Sequence, residues 1–224
     1  LLIQDCYVKR DSSKTKQFQD PVWCPAGELT SRRCYGHTEG TFLTLPRLQP
    51  KYSMNEIDLS KYILEQRSSL STTFPLNEDT AWLLGLYTAE GSNSLKRIIF
   101  TIGNHEKILK NRIIKIANSL GYIAYCAKPI RNAISIAISS RWYSKAFSEW
   151  CGRGASNKKI PDFILFHENK ELLKSYIDGY FSGDGYYKKS KGIRSATSVS
   201  KRLINEIQLG LARLGVFGSC CQGG

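Results

Sequence analysis

The stretch LLGLYTAEG at residues 83–91 decides the fold, because it recurs as IDGYFSGDG at residues 177–185. Each copy ends in a carboxylate followed by glycine. These carboxylates, Glu90 and Asp184, lie 94 positions apart, and the same offset carries the Gly of SLGY onto the Gly of RLGV further along the chain. A duplication in register and without gaps predicts a pseudo-twofold domain. Such a domain would bring the two carboxylates close to one axis.

Each copy also has small residues four positions apart, and positions four apart share one face of a helix. They are Gly85 with Ala89 in the first copy and Gly179 with Gly183 in the second. Helices with such faces pack backbone to backbone, so we expect the carboxylates to meet at one end of the contact. An ordinary glycine-containing helix pair is the alternative for either copy alone, but two copies in register make it the weaker interpretation.

The paired carboxylates predict a divalent metal, because two like charges held together are unfavourable without a cation. The negative ends of both helices add to the attraction for a cation. Oxygen ligands suit Mg²⁺, which keeps several waters and takes further ligands from phosphate. Metal-assisted hydrolysis of a phosphodiester is the chemistry that follows.

The charge of the chain points to a polyanion as partner. Of the net +13, residues 1–78 contribute 10 Lys and Arg against 9 Asp and Glu, whereas residues 79–224 contribute 22 against 10. A basic domain of this kind most often binds nucleic acid, and a generic solvated basic surface is the alternative.

Composition also limits the class of protein. Seven scattered cysteines and three distant histidines form no zinc motif, which favours a reduced, intracellular (cytoplasmic) protein without structural metal. No apolar run approaches the roughly 20 residues that a membrane helix needs. The start of the chain does not resemble a signal peptide, and because position 1 is Leu we expect an excised or fragmentary piece.

The pattern along the chain predicts an α+β fold in four parts. We expect short strands and turns over residues 1–50, then a linker over 51–78 with a short helix near 58–67. A first repeat would occupy residues 79–168 and a second repeat residues 169–224.

Within these repeats, hydrophobic periodicity and turn residues predict the individual elements. The first repeat would contain a helix from its cap Asp79 to Glu90, then a strand, a helix, a hairpin and a helix, at about 96–102, 105–120, 122–128 with 132–139, and 141–150. A left-handed glycine, Gly121, would end the second helix. The second repeat would contain helices at about 169–184 and 200–214.

Taken together, these motifs resemble the LAGLIDADG homing endonucleases of the dodecapeptide (DOD) type found in inteins. The two opening stretches resemble the paired signature helices. KKIPDFIL at 158–165 resembles the lysine-containing block, and SVSKRLINEIQLGLARLGV at 198–216 resembles the closing helix. Thr88 and Ser182 depart from the pattern, because the signature usually has its first acid there, and Glu90 stands in place of the catalytic Asp.

The resemblance implies αββαββα units whose antiparallel sheets form a saddle over the major groove of double-stranded DNA. It implies that Glu90 and Asp184 bind the divalent metals and that Lys158 is an active-site lysine, with Lys159 as the less favoured substitute. It also implies a monomer with an internal pseudo-dimer.

Basic residues in the predicted sheets and turns could contact phosphates or base edges, although each taken alone is better explained as a solvated charge. These residues are Arg97, Lys128, Arg131, Lys188, Lys189, Lys191 and Arg194.

A link to protein splicing rests on a shorter resemblance. VWCPAGEL followed by GTFLTLPRL, both within residues 22–48, resembles the part of an intein splicing domain that precedes the endonuclease. The chain has no Cys or Ser at position 1 and no His-Asn at its end, so splicing would need residues outside it, between the exteins of a host protein.

Two other functions remain open from the sequence. One is a non-catalytic nucleic-acid binder on the same scaffold, such as an intron maturase or a regulator. Retention of both carboxylates and the lysine argues against it. The other is a degenerate intein remnant that acts only in splicing.

The second repeat is predicted to be incomplete. Lys158 follows Gly121 by 37 residues, whereas only nine residues follow Gly215. We therefore expect the second repeat to lack its own hairpin, last helix and lysine, and the chain as given to bind DNA weakly and nick it slowly.

Overall fold

The computed structural model describes residues 49–63, 71–188, 193–216 and 218–220, and four strands within residues 1–48. The chain divides into two compact units, Leu1–Leu48 and Gln49–Gly224. Within the described ranges, no helix is both long and apolar enough to cross a membrane.

The first unit contains a small antiparallel sheet. Its strands are β1 (Leu2–Val8), β2 (Lys16–Phe18), β3 (Val22–Trp23) and β4 (Gly40–Leu43). The strand β1 pairs with each of the other three, and Ile3 faces both Val22 and Leu43. Short strands were predicted for this region, and the turns between them lie outside the described residues.

The segment 51–78, predicted as a linker, contributes described residues to the core of the second unit. The strands β5 (Glu56–Asp58) and β6 (Thr73–Pro75) pair with each other. Leu59 and Phe74 are fully buried. The helix expected near 58–67 is a single 3-10 turn at Ser60–Tyr62 in the described part. Apolar side chains at irregular spacing have no helical period, so the sequence did not reveal their burial.

The two repeats contain most of the remaining elements. In the first they are α1 (Glu78–Glu90), β7 (Gly91–Ser94), β8 (Arg97–Gly103), α2 (Lys107–Ser119), β9 (Ala124–Cys126), β10 (Ala133–Ser139) and α3 (Arg141–Cys151). After a 3-10 turn (Ala155–Asn157) and the short α4 (Asp162–Leu165), the second repeat contributes α5 (Lys170–Asp184), β11 (Gly185–Lys188), β12 (Ile193–Ala196) and α6 (Lys201–Arg213). The α+β class is confirmed. In the described residues no helix or strand follows α6.

The predicted cap of α1 was wrong by two residues. The helix begins after Asn77, whose side chain accepts a hydrogen bond from the backbone N–H of Thr80 at 3.0 Å. The Thr80 hydroxyl in return accepts from the Asn77 N–H at 3.0 Å, which completes a capping box. Asp79 instead pairs with Arg112 of α2 at 3.0 Å. Either residue can cap a helix, and the reciprocal Thr80 hydroxyl is what selects Asn77.

The glycines that end α2 and α6 have the backbone predicted for them. Gly121 and Gly215 both have φ of 80°, the left-handed region that only glycine enters without strain. These equivalent positions confirm that the duplication extends to the backbone.

The main sheet has the strand order β7-β8-β10-β9 and is antiparallel throughout. Residues on one face of β8 and β10 are buried, among them Ile98, Phe100 and Ile136 at 0% exposure. This face packs under α1 and α3, where the ring of Tyr87 meets that of Phe147 edge to face at 5.2 Å. The other face of the sheet is at least partly open.

Candidate active site

The helices α1 and α5 approach backbone to backbone at the two predicted glycines. A Cβ atom added to Gly85 would overlap the carbonyl oxygen of Tyr176, and one added to Gly179 would overlap that of Trp82. Trp82 and Tyr176 are themselves 94 positions apart, so the contact is symmetric. Only glycine allows this close approach of the two backbones. The approach in turn sets the distance between the side chains at the ends of the two helices.

Close contact continues to the last turn of each helix. A Cβ atom on Gly183 would lie 2.7 Å from the Cβ of Ala89 and 2.7 Å from the Cγ of Glu90. The small residues therefore bring the two helix ends together where Glu90 and Asp184 stand. The structure thus brings together the two carboxylates that the sequence singled out.

The surroundings of both carboxylates disfavour their charge. Burial raises the pKa of Glu90, and the negative charge of Asp184 raises it further. Burial also raises the pKa of Asp184, whereas the positive charge of the Lys158 ammonium lowers it. Each carboxylate stands at the C-terminal, negative end of its helix, which adds to the cost. The pair is therefore suited to a cation.

The side chain of Lys158 reaches the same end of α1. It is 8% exposed, and its ammonium donates to the carbonyl oxygens of Tyr87 at 2.8 Å and Gly91 at 3.0 Å. Burial lowers the pKa of this lysine. Lys159, the predicted substitute, is half-buried, and its backbone N–H donates to Cys151. Of the two lysines, Lys158 is the one that contacts the carbonyls on either side of Glu90.

The donor set fits a magnesium ion that takes only part of its ligands from protein. Glu90 and Asp184 offer hard carboxylate oxygens, as Mg²⁺ requires. Among the described residues, no group of three or more His, Cys, Asp and Glu could hold a metal. The Lys158 ammonium engages the carbonyls of Tyr87 and Gly91. Water and phosphate would therefore complete the shell, which is the coordination that Mg²⁺ prefers.

The two hydroxyl residues that replace the usual first acids are hydrogen-bonded within the helices. The Thr88 hydroxyl is buried, donates to the Leu84 carbonyl at 2.9 Å and lies 2.6 Å from the Tyr176 hydroxyl. The Ser182 hydroxyl donates to the Asp178 carbonyl at 2.7 Å. A carboxylate at buried Thr88 would be desolvated, whereas a hydroxyl there is satisfied.

Four of the residues predicted to bind DNA have described side chains, and all four are exposed: Arg97, Lys128, Arg131 and Arg194. Arg97 begins β8, and Lys128 and Arg131 lie between β9 and β10. Arg194 on β12 pairs with Asp178 at 3.2 Å. Lys188 ends β11, but its side chain, Lys189 and Lys191 lie outside the described residues.

The outer face of the main sheet carries hydroxyl residues beside larger side chains such as Ile99 and Tyr125. Its cross-strand pairs include Ser92 with Ile99 and Thr101 with Ser135. Hydroxyl groups on a sheet face can donate to or accept from base edges. Arg97 adds a positive charge at one margin of this face.

Sequence reasoning missed three residues that contact the backbone of residues 158–160: Tyr176, Ser200 and Glu206. The Ser200 hydroxyl donates to the Lys158 carbonyl at 2.7 Å. A serine at the start of α6 is a recognisable cap, but a contact across 42 positions leaves no local signal.

Comparison with known proteins supports the fold. Residues 171–223 match the LAGLIDADG-like domain family. The chain is 30% identical over 227 residues to the ATP-dependent DNA helicase Hel308 of Thermococcus kodakarensis, covering 91% of the chain and 20% of the helicase. It is 32% identical over 152 residues to the DNA-directed RNA polymerase subunit Rpo1C of Methanocaldococcus jannaschii. This match covers 66% of the chain and 17% of the polymerase subunit. The chain thus spans a fifth or less of each relative.

A solved structure agrees with this match. A variant of the homing endonuclease I-DmoI, in complex with its target DNA in the presence of Mg, has a TM-score of 0.50 and 17% identity. The superposition covers 63% of this chain and 80% of the I-DmoI chain. At this identity the likeness concerns the fold, which is that of the LAGLIDADG proteins.

Proposed function

We propose that this chain, which has the LAGLIDADG fold, is the endonuclease domain of an intein and cleaves double-stranded DNA at a specific site with Mg²⁺. One observation carries the proposal. Glu90 and Asp184 stand together at the ends of two helices that touch through glycine, and the Lys158 ammonium is bound to the same end of α1.

In this proposal Glu90 and Asp184 would hold the metal ion. A bound Mg²⁺ would supply charge neutralisation at the scissile phosphate and activation of water. Without the metal ion, the pKa of Glu90 and that of Asp184 are both raised, which means that their negative charges are disfavoured. A bound cation would relieve this unfavourable interaction. Lys158, held rigidly beside them, would offset the negative charge that develops on the phosphate.

The charge and the sheet support DNA as the substrate. Residues 79–224 carry 22 Lys and Arg against 10 Asp and Glu, enough to attract a polyanion. The outer face of the main sheet offers hydroxyls that could contact base edges, with exposed Arg97 and Arg131 at its margins for phosphates.

The relatives support an intein. A helicase and an RNA polymerase subunit differ in function, yet this one chain matches a small share of each. A module inserted into unrelated hosts explains such a distribution. In the natural gene we expect a Cys upstream of the chain and a His-Asn pair downstream. If neither were found in the full-length gene product, the intein part of the proposal would be wrong.

The nuclease part is tested by Glu90→Gln and Asp184→Asn in the natural full-length protein. Each change keeps the shape of the side chain and removes the charge that holds the metal. We expect cleavage of target DNA with Mg²⁺ to fall by at least about 100-fold, the order seen when one charge-stabilising group is lost. DNA binding in a gel-shift assay should be unchanged.

Glu78→Gln is the matched control, because Glu78 lies on α1 at the opposite end from Glu90. It should cleave like the parent. Parent-like cleavage by Glu90→Gln or Asp184→Asn would refute the two-carboxylate mechanism. Tight binding without cleavage by the parent itself would favour a non-catalytic binder.

DNA binding should weaken steeply with salt, because phosphate contacts release counterions. Arg97→Ala and Arg131→Ala should each reduce the slope of log K against log salt by about 1. Lys61→Ala is the control, since Lys61 is already paired with Glu149 at 2.6 Å. Binding that does not change with salt would exclude the proposed DNA surface.

A further inference from the structure

We infer that Ser200 and Glu206 of α6 are positioning residues for Lys158, so that the second repeat holds the lysine contributed by the first. The catalytic meaning of this inference rests on the proposed nuclease function. The contacts themselves do not depend on it.

Ser200 is a buried hydroxyl engaged on two sides. It is 0% exposed, donates to the Lys158 carbonyl at 2.7 Å and accepts from the Leu203 N–H at 3.2 Å as the N-cap of α6. Because Ser200 is fully buried, removal of its hydroxyl would leave the Lys158 carbonyl without this donor and with no ready access to water. The start of α6 is thus fastened to the peptide unit of the lysine.

Glu206, nearly two turns further along α6, holds the next peptide unit. Its Oε2 accepts from the backbone N–H of Ile160 at 2.6 Å. Its Oε1 accepts from the Nε of Arg202 at 2.6 Å, so both carboxylate oxygens are engaged. A carboxylate acceptor makes this a charge-assisted bond, stronger than a bond between neutral groups.

Lys159, the residue between these two hydrogen-bonded peptide units, also has both of its backbone groups hydrogen-bonded. The Lys159 carbonyl accepts from the Tyr176 hydroxyl at 3.3 Å, and its N–H donates to the Cys151 carbonyl at 2.9 Å. Three consecutive residues, 158–160, therefore bond to α3, α5 and α6. A loop that only connects two elements at the surface needs fewer backbone hydrogen bonds to neighbouring helices than this segment makes.

A fixed backbone matters because the side chain of Lys158 is long and its end is confined. Its ammonium lies 4.3 Å from the centre of the Tyr87 ring and donates to two carbonyls of α1. The titratable groups near it are the Cys151 thiol and the Asp184 carboxylate. A backbone shift of about 1 Å would carry the ammonium away from these groups, and such misplacement can cost on the order of 100-fold in rate.

The chain offers a matched control for Ser200. Ser140 is also a buried N-cap serine: it accepts from the Tyr143 N–H at 3.2 Å and donates to the Tyr122 hydroxyl at 3.2 Å. It caps α3 and makes no hydrogen bond to residues 158–160. Ser140→Ala therefore removes an equivalent cap without touching the lysine.

The experiment compares Ser200→Ala, Ser200→Thr and Ser140→Ala in the natural full-length protein. Acetylation of Lys158 by acetic anhydride is followed by peptide mass spectrometry. We expect acetylation to be about tenfold faster in Ser200→Ala, because the lysine segment opens locally, and parent-like in the other two. Cleavage should show kcat reduced about tenfold in Ser200→Ala with KM nearly unchanged, and recovery in Ser200→Thr.

Glu206 provides a second pair of variants that does not alter the cap. Glu206→Gln keeps an acceptor for the Ile160 N–H, whereas Glu206→Leu does not. Only Glu206→Leu should speed acetylation of Lys158. Equal acetylation in Ser200→Ala and Ser140→Ala, or in Glu206→Leu and Glu206→Gln, would overturn the inference.

The two readouts separate this inference from the proposed function. Acetylation needs no nuclease activity, so it decides the positioning of Lys158 even if Glu90→Gln shows that the protein does not cleave DNA. Faster acetylation with an unchanged kcat would overturn the catalytic part of the inference, because the lysine would then be anchored without serving the reaction.

Discussion

The two repeats contain the same hairpin in two different environments. β11 occupies the positions that β7 occupies 94 residues earlier, and β12 lies within the range equivalent to β8. In the first repeat one face of the hairpin is buried, with Ile98 and Phe100 at 0% exposure. In the second, Tyr187 and Ile193 are each 52% exposed, and every described residue of β12 is exposed.

The difference comes from the elements that follow each hairpin. In the first repeat β10 extends the sheet at the free edge of β8, and α3 covers the buried face. Among the described residues, β12 pairs only with β11. A cavity of about 440 Å³ lies there, lined in part by Phe181, Tyr187 and Arg194. A duplicated sequence thus gives the same strands, while later elements determine whether those strands are buried.

The helices behave differently from the hairpins, because α1 and α5 bury each other and are equivalent. Gly85→Leu and Gly179→Leu should therefore destabilise the protein equally. A leucine at either position collides with a backbone carbonyl of the partner helix, which cannot move aside. We expect a loss above about 5 kcal/mol, beyond most point substitutions, measured by urea unfolding.

Gly210→Ala is the control for this prediction. Gly210 is a buried glycine in α6, but an added Cβ would meet the flexible ends of Ile177 and Leu173 at 3.3 Å and of Leu165 at 3.7 Å. Alanine there should be neutral or stabilising by about 1 kcal/mol or less, since it favours the helix. Parent-like stability of either leucine variant would show that α1 and α5 do not touch at glycine.

The hairpins should respond unequally to substitution at equivalent positions. Phe100 and Arg194 are 94 positions apart, yet Phe100 is buried and Arg194 is exposed. Phe100→Ala should cost about 3–5 kcal/mol, as for other buried aromatic residues. Arg194→Ala should cost less than about 1 kcal/mol, because it removes an exposed ion pair with Asp178 and an exposed contact with the Tyr187 ring. Similar losses in urea unfolding would mean that β12 is buried in solution.

The smallest predicted effect is a difference in melting temperature between variants of the two carboxylates, Glu90 and Asp184. A carboxyl whose pKa is higher in the folded than in the unfolded state destabilises the protein where it is ionised, and the penalty disappears as pH falls below its unfolded value. Without metal, Glu90→Gln should therefore raise the melting temperature slightly at neutral pH. The gain should vanish below pH about 4, where the carboxyl is protonated in both states.

Asp184→Asn should give a smaller gain, because this variant also loses the favourable interaction between the Asp184 carboxylate and the Lys158 ammonium. Melting in a chelator, followed by calorimetry, measures both variants. A lower melting temperature for Glu90→Gln at neutral pH would show that the Glu90 charge is stabilised in the metal-free protein.

Local patterns predicted the parts of the fold that depend on near neighbours. The helices from 78 to 90 and 170 to 184 follow from the duplicated motif with its small residues four apart, and Gly121 and Gly215 end helices because only glycine enters the left-handed region freely. The strand β7 was missed, since its sequence GSNS has the composition of a loop. It forms because its backbone pairs with β8 across the two-residue turn at 95–96, and that pairing requires no apolar pattern in GSNS.

The sequence by itself determined the duplicated helices, their glycine contact and the place of the two carboxylates, since one offset relates all of them. The tertiary structure alone decided which contacts hold the lysine segment: the Lys158 ammonium binds carbonyls at the end of α1, and Ser200 and Glu206 bind the backbone of residues 158 and 160. It also decided that one hairpin is buried and its copy exposed. These outcomes depend on hydrogen bonds and packing between residues far apart in the chain, which leave no period or spacing in the sequence.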